Sequence, residues 1–507
     1  MKRILLILLL LTVHTAFGQT LNRYLTAETG KMIYGITNYM QYYAAEEANY
    51  EMGRVVVNDN LIANLIHKKN NTYGVVAFDT KANLKWKLDL KYRTVYLNLF
   101  YGNLLVIACE ETNGRDDYRK TYCTIINPDN GKIISTKELN LVTSEKYAEP
   151  KFLYNKTTND FFIAIRETNR KLGNTIYSSM GHGELNDYSE TKSVSVYLLD
   201  KQLAVKEKID IAPSFNHFIG CEMDADNNLY WLTQDENKAI VTVEKISLTT
   251  KEKQSLGINL YEGKKRGRIY CRFNPSAYKK NVIVGAFGYD NNNKNKCITA
   301  FKADFNQNKT AFTVNEYNKD FRNDLMSKYK PNTVLTAKPT PKHWDDMSLT
   351  EVKETENNII AISDVTYWNT PYQNIHTTVL YGEETFVACF DVDNLSLKYN
   401  TFFTRDFMNY ASSFNKTYTH IRDNNLHILT NSGSSPTPYY LTMDVNTGTI
   451  KNISVIERKG EIAKYFHRNG GAIWLKDMVM LDFITPSYSY NHPDVTSFMD
   501  KMAYDDK

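Results

Sequence analysis

Asp59-Asn60-Leu61-Ile62-Ala63-Asn64-Leu65 is a polar turn that runs straight into an apolar strand. The phrase returns as Gly102-Asn103-Leu104-Leu105-Val106-Ile107-Ala108, as Asn159-Asp160-Phe161-Phe162-Ile163-Ala164-Ile165 and as Asn227-Asn228-Leu229-Tyr230-Trp231-Leu232. Later copies are Lys280-Asn281-Val282-Ile283-Val284, Asn357-Asn358-Ile359-Ile360-Ala361-Ile362 and Asn424-Asn425-Leu426-His427-Ile428-Leu429, with a weaker eighth at Gly470-Gly471-Ala472-Ile473-Trp474-Leu475. Self-similarity at roughly 45 to 75 residues marks a repeat architecture.

A second strand follows each phrase and commonly ends on an acidic residue, as in Gly74-Val75-Val76-Ala77-Phe78-Asp79 and Tyr440-Leu441-Thr442-Met443-Asp444. A tight turn comes next, such as Pro128-Asp129-Asn130-Gly131 or Asn446-Thr447-Gly448, and then a final strand. Asn-Gly and Thr-Gly supply the positive-φ residue that tight hairpins need. Segments ahead of the phrase, such as Arg54-Val55-Val56-Val57, supply a fourth strand. Four antiparallel strands repeated about eight times predict an all-β chain folded as a single β-propeller of eight blades, with seven as the alternative. A sheet with two apolar faces cannot hide both alone, and radial stacking buries each against a neighbour at roughly 25 cal/mol per Å² of apolar surface. A strand between Ile33 and Val57 is expected to complete the last sheet and close the ring. The one helical pattern, over Glu28 to Glu47, reads equally well as strand.

Val75-Val76-Ala77-Phe78-Asp79-Thr80-Lys81-Ala82-Asn83-Leu84-Lys85-Trp86 resembles the repeat of quinoprotein-type propellers: an apolar strand, Asp, a turn, then Trp. Asn127-Pro128-Asp129-Asn130-Gly131 and Asp444-Val445-Asn446-Thr447-Gly448 resemble its turn, although only the first repeat keeps the Trp. The resemblance implies the fold superfamily, which includes quinone-dependent dehydrogenases and non-enzymatic envelope scaffolds. The dehydrogenases carry an adjacent cysteine pair beside the quinone. No two cysteines are adjacent here, so no quinone cofactor is expected.

The chain opens with Met1-Lys2-Arg3, an apolar run from Ile4 to Val13, and Ala16-Phe17-Gly18. This reads as a secretory leader over 1–18. The remaining divisions are an N-terminal segment over 19–50 (ring-closing strand or short helix), the propeller over 51–486 and a polar tail over 487–507. Export to the periplasm or the exterior is expected, with no membrane-spanning segment after cleavage. Loss of Lys2 and Arg3 lowers the net charge from +4 to +2, which gives no electrostatic case for nucleic acid. The six cysteines, Cys109, Cys123, Cys221, Cys271, Cys297 and Cys389, lack metal-knuckle spacing and read mainly as buried strand residues, with Cys109 and Cys123 on one hairpin. Asp224-Ala225-Asp226-Asn227-Asn228 resembles a calcium loop but has Leu229 where that loop needs Gly, so it reads as a β-turn. No metal site is expected.

Within each repeat, the turns joining strands one to two and three to four are short. The connections joining strands two to three, and repeat to repeat, hold the long stretches: 112–120, 168–193, 289–296, 305–350, 363–385 and 431–438. Rigid scaffolds carry function on their loops, so the long-loop end is expected to be the working end. Its richest stretches are Lys342-His343-Trp344-Asp345-Asp346 and Thr366-Tyr367-Trp368-Asn369-Thr370-Pro371-Tyr372. Aromatic faces beside carboxylates suit sugar rings or a peptide, which makes His343, Trp344, Asp345, Tyr367, Trp368 and Tyr372 the candidate binding residues. An aromatic plug that only packs the insertion is the competing reading. Weaker candidates are His182, Glu184, Asp187 and Tyr188, and the charged hairpin tip from Arg115 to Arg119. No metalloprotease, nucleophile-elbow or phosphate-loop motif is present. The expectation is a non-catalytic exported propeller that binds a protein or carbohydrate of the cell envelope. A glycan hydrolase or lyase using loop carboxylates, and an envelope assembly scaffold, are the alternatives.

Overall fold

In the computed structural model the described residues are 20–33, 54–68, 72–79, 83–112, 115–141, 148–168, 191–211, 217–234, 240–260, 269–290, 296–331, 334–369, 379–409, 417–432, 437–455, 465–466, 472–474, 478–486 and 494–505. The expected leader over 1–18 lies outside them. Seven sheets follow one another along the chain, spanning 54–90, 93–139, 148–211, 217–259, 269–316, 347–409 and 418–455; they are numbered sheets 1 to 7. Each has four strands paired in simple chain order, and the pairing is antiparallel throughout.

The first seven phrases are the second strands of these sheets, from Leu61–Lys68 in sheet 1 to Asn425–Ser432 in sheet 7. The polar turn ahead of each works because Asn tolerates the left-handed region. Asn159, Asn227, Asn281 and Asn424 sit there with φ of 60, 61, 58 and 57°. The apolar run works because both faces of each sheet are covered. Leu104 and Val106 pack toward sheet 1, while Leu105 and Ile107 pack toward sheet 3. Ile359 and Ala361 likewise face sheet 5, and Ile360 and Ile362 face sheet 7. Every consecutive pair from sheet 1 to sheet 7 shares such a cluster.

First strands of neighbouring sheets lie beside one another, and their side chains bridge the gap. Lys151 reaches Glu222 at 3.1 Å between sheets 3 and 4. Between sheets 5 and 6, Arg272 Nε donates to the Thr350 carbonyl at 2.9 Å and Asn274 Nδ2 to the Val352 carbonyl at 3.1 Å. Fourth strands form the opposite, outer edge. They carry Lys85, Lys87, Lys206, Lys208, Lys253, Lys309, Lys398 and Lys451, charges that discourage an open edge from pairing with another chain.

The outer turns lock each sheet to the one before it in two ways. In one, a ring from the preceding sheet lies on a glycine of the turn. The Trp86 indole donates to the Pro128 carbonyl at 2.6 Å, and a Cβ added at Gly131 would stand 2.6 Å from the ring. Tyr399 repeats this on the turn of sheet 7: its hydroxyl donates to the Val445 carbonyl at 2.9 Å, and a Cβ at Gly448 would stand 2.5 Å from its ring. In the other, the turn supplies the apolar group. Leu203 and Leu395 both take a φ of 60° and are buried against the preceding sheet. So the docking contact that the sequence shows only at Trp86 recurs with Tyr, or is replaced by Leu.

A further sheet has the order Thr20–Ile33, Asp494–Asp505, Met478–Pro486 and Tyr465–Phe466, with Ala472–Trp474 also paired to Met478–Pro486. The N-terminal strand that meets the C-terminal end is therefore Thr20–Ile33; residues 34–53, most of the span where it was sought, lie outside the described residues. The stretch read as a polar tail contains a strand, Asp494–Asp505, because Thr20–Ile33 and Met478–Pro486 offer it hydrogen-bonding edges on both sides. Sheet 7 meets the further sheet through rings: Trp474 lies 5.2 Å from His420 and 5.9 Å from His427 between ring centres.

Cys109 and Cys123 do not bridge; the register sets Cys109 opposite Thr121 and Cys123 opposite Ile107. Five of the six cysteines are buried. The Asp224 turn is closed by protein donors: its carboxylate accepts from the backbone N–H of Asp226 and Asn228, from Asn228 Nδ2 and from the Tyr230 hydroxyl.

Gly131→Ala adds a left-handed penalty and a clash with Trp86, and should destabilise by about 2–4 kcal/mol. Gly102→Ala, with φ of 76° and nothing within 4 Å, should cost only about 1 kcal/mol. Thermal melts of the two variants, alone and with Trp86→Ala, separate the terms. Equal melting temperatures for the two alanine variants would show that the ring contact does not fix this turn.

Candidate functional site

The stretch 305–350, read as one long loop, begins with the last strand of sheet 5, Lys309–Glu316. The connection proper runs from residue 317 to 346. It opens with helix α1, Lys319–Lys328, capped by the Asn318 side chain accepting from the Phe321 N–H at 3.0 Å. It closes with a 3-10 turn, Pro341–Asp346, that leads into sheet 6. Trp344 anchors this turn. It is wholly buried, 4.9 Å from Phe386 and 5.3 Å from Phe402 between ring centres, both in edge-on geometry. Trp344 is thus the aromatic plug and presents no face to a ligand.

Its neighbours point elsewhere. Asp345 is exposed and ion-pairs with Arg322 of α1. His343 turns toward the long hairpin of sheet 6, formed by Asn358–Asn369 and Val379–Asp391. Its Nδ1 lies 2.7 Å from Glu383 Oε2, and the Tyr367 hydroxyl donates to Glu383 Oε1 at 3.0 Å. The His343 and Tyr367 ring centres are 4.1 Å apart, and Tyr367 stacks on its cross-strand partner Tyr381 at 5.2 Å with planes 8° apart. Burial, then the Glu383 charge, raises the Tyr367 pKa, so this phenol stays a donor. Burial also raises Asp346, against the pull of His343 and Lys296 nearby.

Of the six residues singled out in the sequence, His343 and Tyr367 come together, Trp344 is core and Asp345 serves α1. Trp368 lies on the hairpin strand, with its side chain outside the described residues, and Tyr372 lies outside them altogether, as do His182, Glu184, Asp187 and Tyr188. The hairpin tip is as read: Thr112 pairs with Arg115 and Glu111 with Asp116.

Glu383, the residue that joins the site, was not singled out. It sits in a bulge. Asp364 pairs with Thr385 and Thr366 with Gly382, so Glu383 and Glu384 together oppose Val365. A bulge redirects side chains where regular pairing would alternate them. Glu383 is consequently shared by His343 and Tyr367, while Glu384 is wholly buried and accepts from the Thr340 N–H that precedes the 3-10 turn. Beneath them Asp364 accepts from Thr385 Oγ1 at 2.5 Å and Thr417 Oγ1 at 3.1 Å, with Arg405 Nη2 at 3.3 Å. Arg405 Nη1 donates to Thr430 Oγ1 at 3.2 Å, which ties sheet 6 to sheet 7 under the site. Both charges are buried, where removing one partner costs far more than the pair contributes.

With seven consecutive four-stranded antiparallel sheets stacked face against face, first strands innermost and fourth strands outermost, the chain is a β-propeller. No family model matches it, and no curated protein does. Among solved structures it is similar to the WD40 domain of SCAP from fission yeast, with 8% identity over 96% of this chain and 98% of that one and a TM-score of 0.42. It is also similar to the polysaccharide lyase Uly1, with 11% identity over 82% and 93% and a TM-score of 0.43, and to the Dos1 propeller, with 10% identity over 82% and 93% and a TM-score of 0.37.

Burial, reinforced by the adjacent Glu383, pushes the Glu384 carboxyl up to about 7 from 4.5, although the Thr340 N–H, Trp344 and Arg405 act the other way. The folded state therefore keeps a proton that the unfolded chain has released. This stabilisation is fully present below pH 4.5 and is lost as pH rises through about 7, a change on the order of 3 kcal/mol. Glu384→Gln should flatten that decline between pH 5 and 8 in denaturant melts; the slope is the readout. An unchanged slope would remove Glu384 as its source. Trp344→Ala should cost about 3–5 kcal/mol as a core truncation, seen as a lowered melting temperature.

Proposed function

We propose that the protein binds a glycan at the long-loop end of the propeller, at the cluster of His343, Tyr367, Tyr381 and Glu383. One observation carries the reading: Glu383 holds a histidine and a tyrosine at once, beside a pair of stacked tyrosines, and all four side chains are only partly buried. Sugars offer apolar C–H faces to aromatic rings and hydroxyls to carboxylates and imidazole, so this set of groups fits them. A glycosidase needs two carboxylates that work as acid and base across the bond. Glu383, held at both oxygens by protein groups, is not free for either task, which favours recognition as the role of this residue.

The same reading takes the further sheet as an eighth blade, built from both ends of the chain. It is supported by the pairing of Thr20–Ile33 with Asp494–Asp505 and by the packing of Trp474 on His420 and His427. The basic, then apolar, then small-residue start of the sequence supports export, which would bring the long-loop end to envelope carbohydrate.

Affinity electrophoresis against a panel of neutral and acidic polysaccharides tests the proposal. Tyr367→Ala and Glu383→Gln should each weaken retention by about tenfold, equivalent to ~1.4 kcal/mol. A glycan retained equally by wild type and both variants, or none retained at all, would overturn it.

A further inference from the structure

We infer that the seam between sheet 7 and the further sheet is an acid-released contact: protonation of His427 unseats Trp474 and frees the further sheet, which carries strands from both ends of the chain.

The place of His427 in the repeat is the first observation. Gly102, Asn159, Asn227, Asn281 and Asn424 are all left-handed turn residues ahead of a second strand. Three residues past the turn, sheets 2 to 5 place Leu105, Phe162, Tyr230 and Val284, each packed toward the next sheet. Sheet 7 places His427 there. Leu426 and Ile428 pack on sheet 6, and side chains alternate along a strand, so His427 faces the further sheet. It is wholly buried. Trp474 lies 5.9 Å from it between ring centres and stacks on its cross-strand partner His420 at 5.2 Å, with planes 11° apart. An apolar residue at this place would make the seam indifferent to pH, whereas an imidazole makes it conditional.

The surroundings suit the neutral ring. Nδ1 lies 2.6 Å from the Tyr440 hydroxyl, which belongs to another wholly buried residue. A neutral ring can accept from that hydroxyl at Nδ1, but a protonated ring only donates, and the hydroxyl would have to turn. On the same sheet stand His420, 6.5 Å away between ring centres, and the pair Arg422 and Asp423 at 3.2 Å. Sheet 6 contributes Lys353, paired with Glu351, which also accepts from Thr419 Oγ1. Tyr465 belongs to the strand of the further sheet that lies beside sheet 7, and Lys476 and Asp477 follow Trp474 outside the described residues. Burial first, then His420, lowers the His427 pKa from 6.5 to about 4, with the Arg422 backbone and the Asp423 charge acting the other way. Burial, Lys353 and Arg422 also lower His420. The π face of Trp474 offsets this in part, most at His420, which is only half-buried.

Unseating Trp474 admits water to the His427 ring and lets it titrate in its ordinary range. The unseated state therefore binds the proton more tightly. The contact is fully formed above pH 6.5 and weakens as pH falls toward about 4, by up to about 10²-fold in the seating equilibrium. The sign is opposite to that of Glu384, whose proton the folded state retains.

Amide hydrogen exchange read by mass spectrometry on the full chain, between about pH 7.5 and 4.5 and corrected for intrinsic exchange rates, tests this. Peptides from Met478–Pro486 and Asp494–Asp505 should lose about tenfold or more in protection on acidification. Strands of sheets 2 to 5 should keep theirs, and the loss should reverse at neutral pH. His427→Phe should hold the protection level across the range. Exchange of the carbon-bound imidazole proton, followed on the same digests, gives the titration of His427 directly. In wild type it should lie well below 6.5, and Trp474→Ala should bring it back toward 6.5. Protection that ignores pH in wild type, or that falls equally in all sheets, would overturn the inference. A loss as large in His427→Phe as in wild type would remove His427 as the trigger. Should that variant fail to fold, an ordinary titration of His427 in wild type would remove it instead.

Discussion

A four-stranded sheet that is apolar on both faces has nowhere to hide except against another of its kind. Everything in this chain follows from that condition. It explains the unbroken apolar runs in the second strands, since Leu104 and Leu105 both need cover, one from each neighbour. It also explains why no disulfide framework is needed: the buried cysteines serve as small core residues in a molecule whose sheets supply one another's interiors.

Stacking by apolar burial is non-directional, and something must stop one sheet from sliding over the next. The outer turns supply the stop. Trp86 on Gly131 and Tyr399 on Gly448 combine a hydrogen bond to a turn carbonyl with close approach of a ring to a position that tolerates no side chain. Leu203 and Leu395 reach the same end from the other side, holding a left-handed backbone so that a leucine can enter the core shared with the preceding sheet. The strain of a branched residue at positive φ is offset by burying that residue completely.

Much of the scaffold was legible in the sequence because its signals are local. An Asn that accepts positive φ, followed by an apolar run, reports a turn and a doubly covered strand without any knowledge of what lies opposite. The site was less legible because it depends on pairing. His343 and Tyr367 were visible as polar and aromatic residues in long connections, but Glu383 becomes their common partner only through a bulge whose register depends on the hairpin as a whole. Trp344 stands between two readings in the sequence, ligand face or packing plug, for a related reason: an aromatic in a loop and an aromatic under a loop look alike until Phe386 and Phe402 are in place. Helix α1 left a faint trace, the Asn318 cap with Asp320 in its first turn, but with Leu325 as its one buried residue it carries almost no apolar stripe.

The bulge at Glu383 and Glu384 makes strand length, beside residue identity, part of what places the site. One strand holds one residue more than its partner across the ladder, and at that irregularity two successive carboxylates lie in unlike surroundings, one partly exposed and shared, the other dry. Removing a single residue there would even the ladder with Asn358–Asn369 while widening the irregularity on the other side, where Glu383 alone already opposes Arg405 and Asp406, so the two edges of this strand make opposite demands on its length.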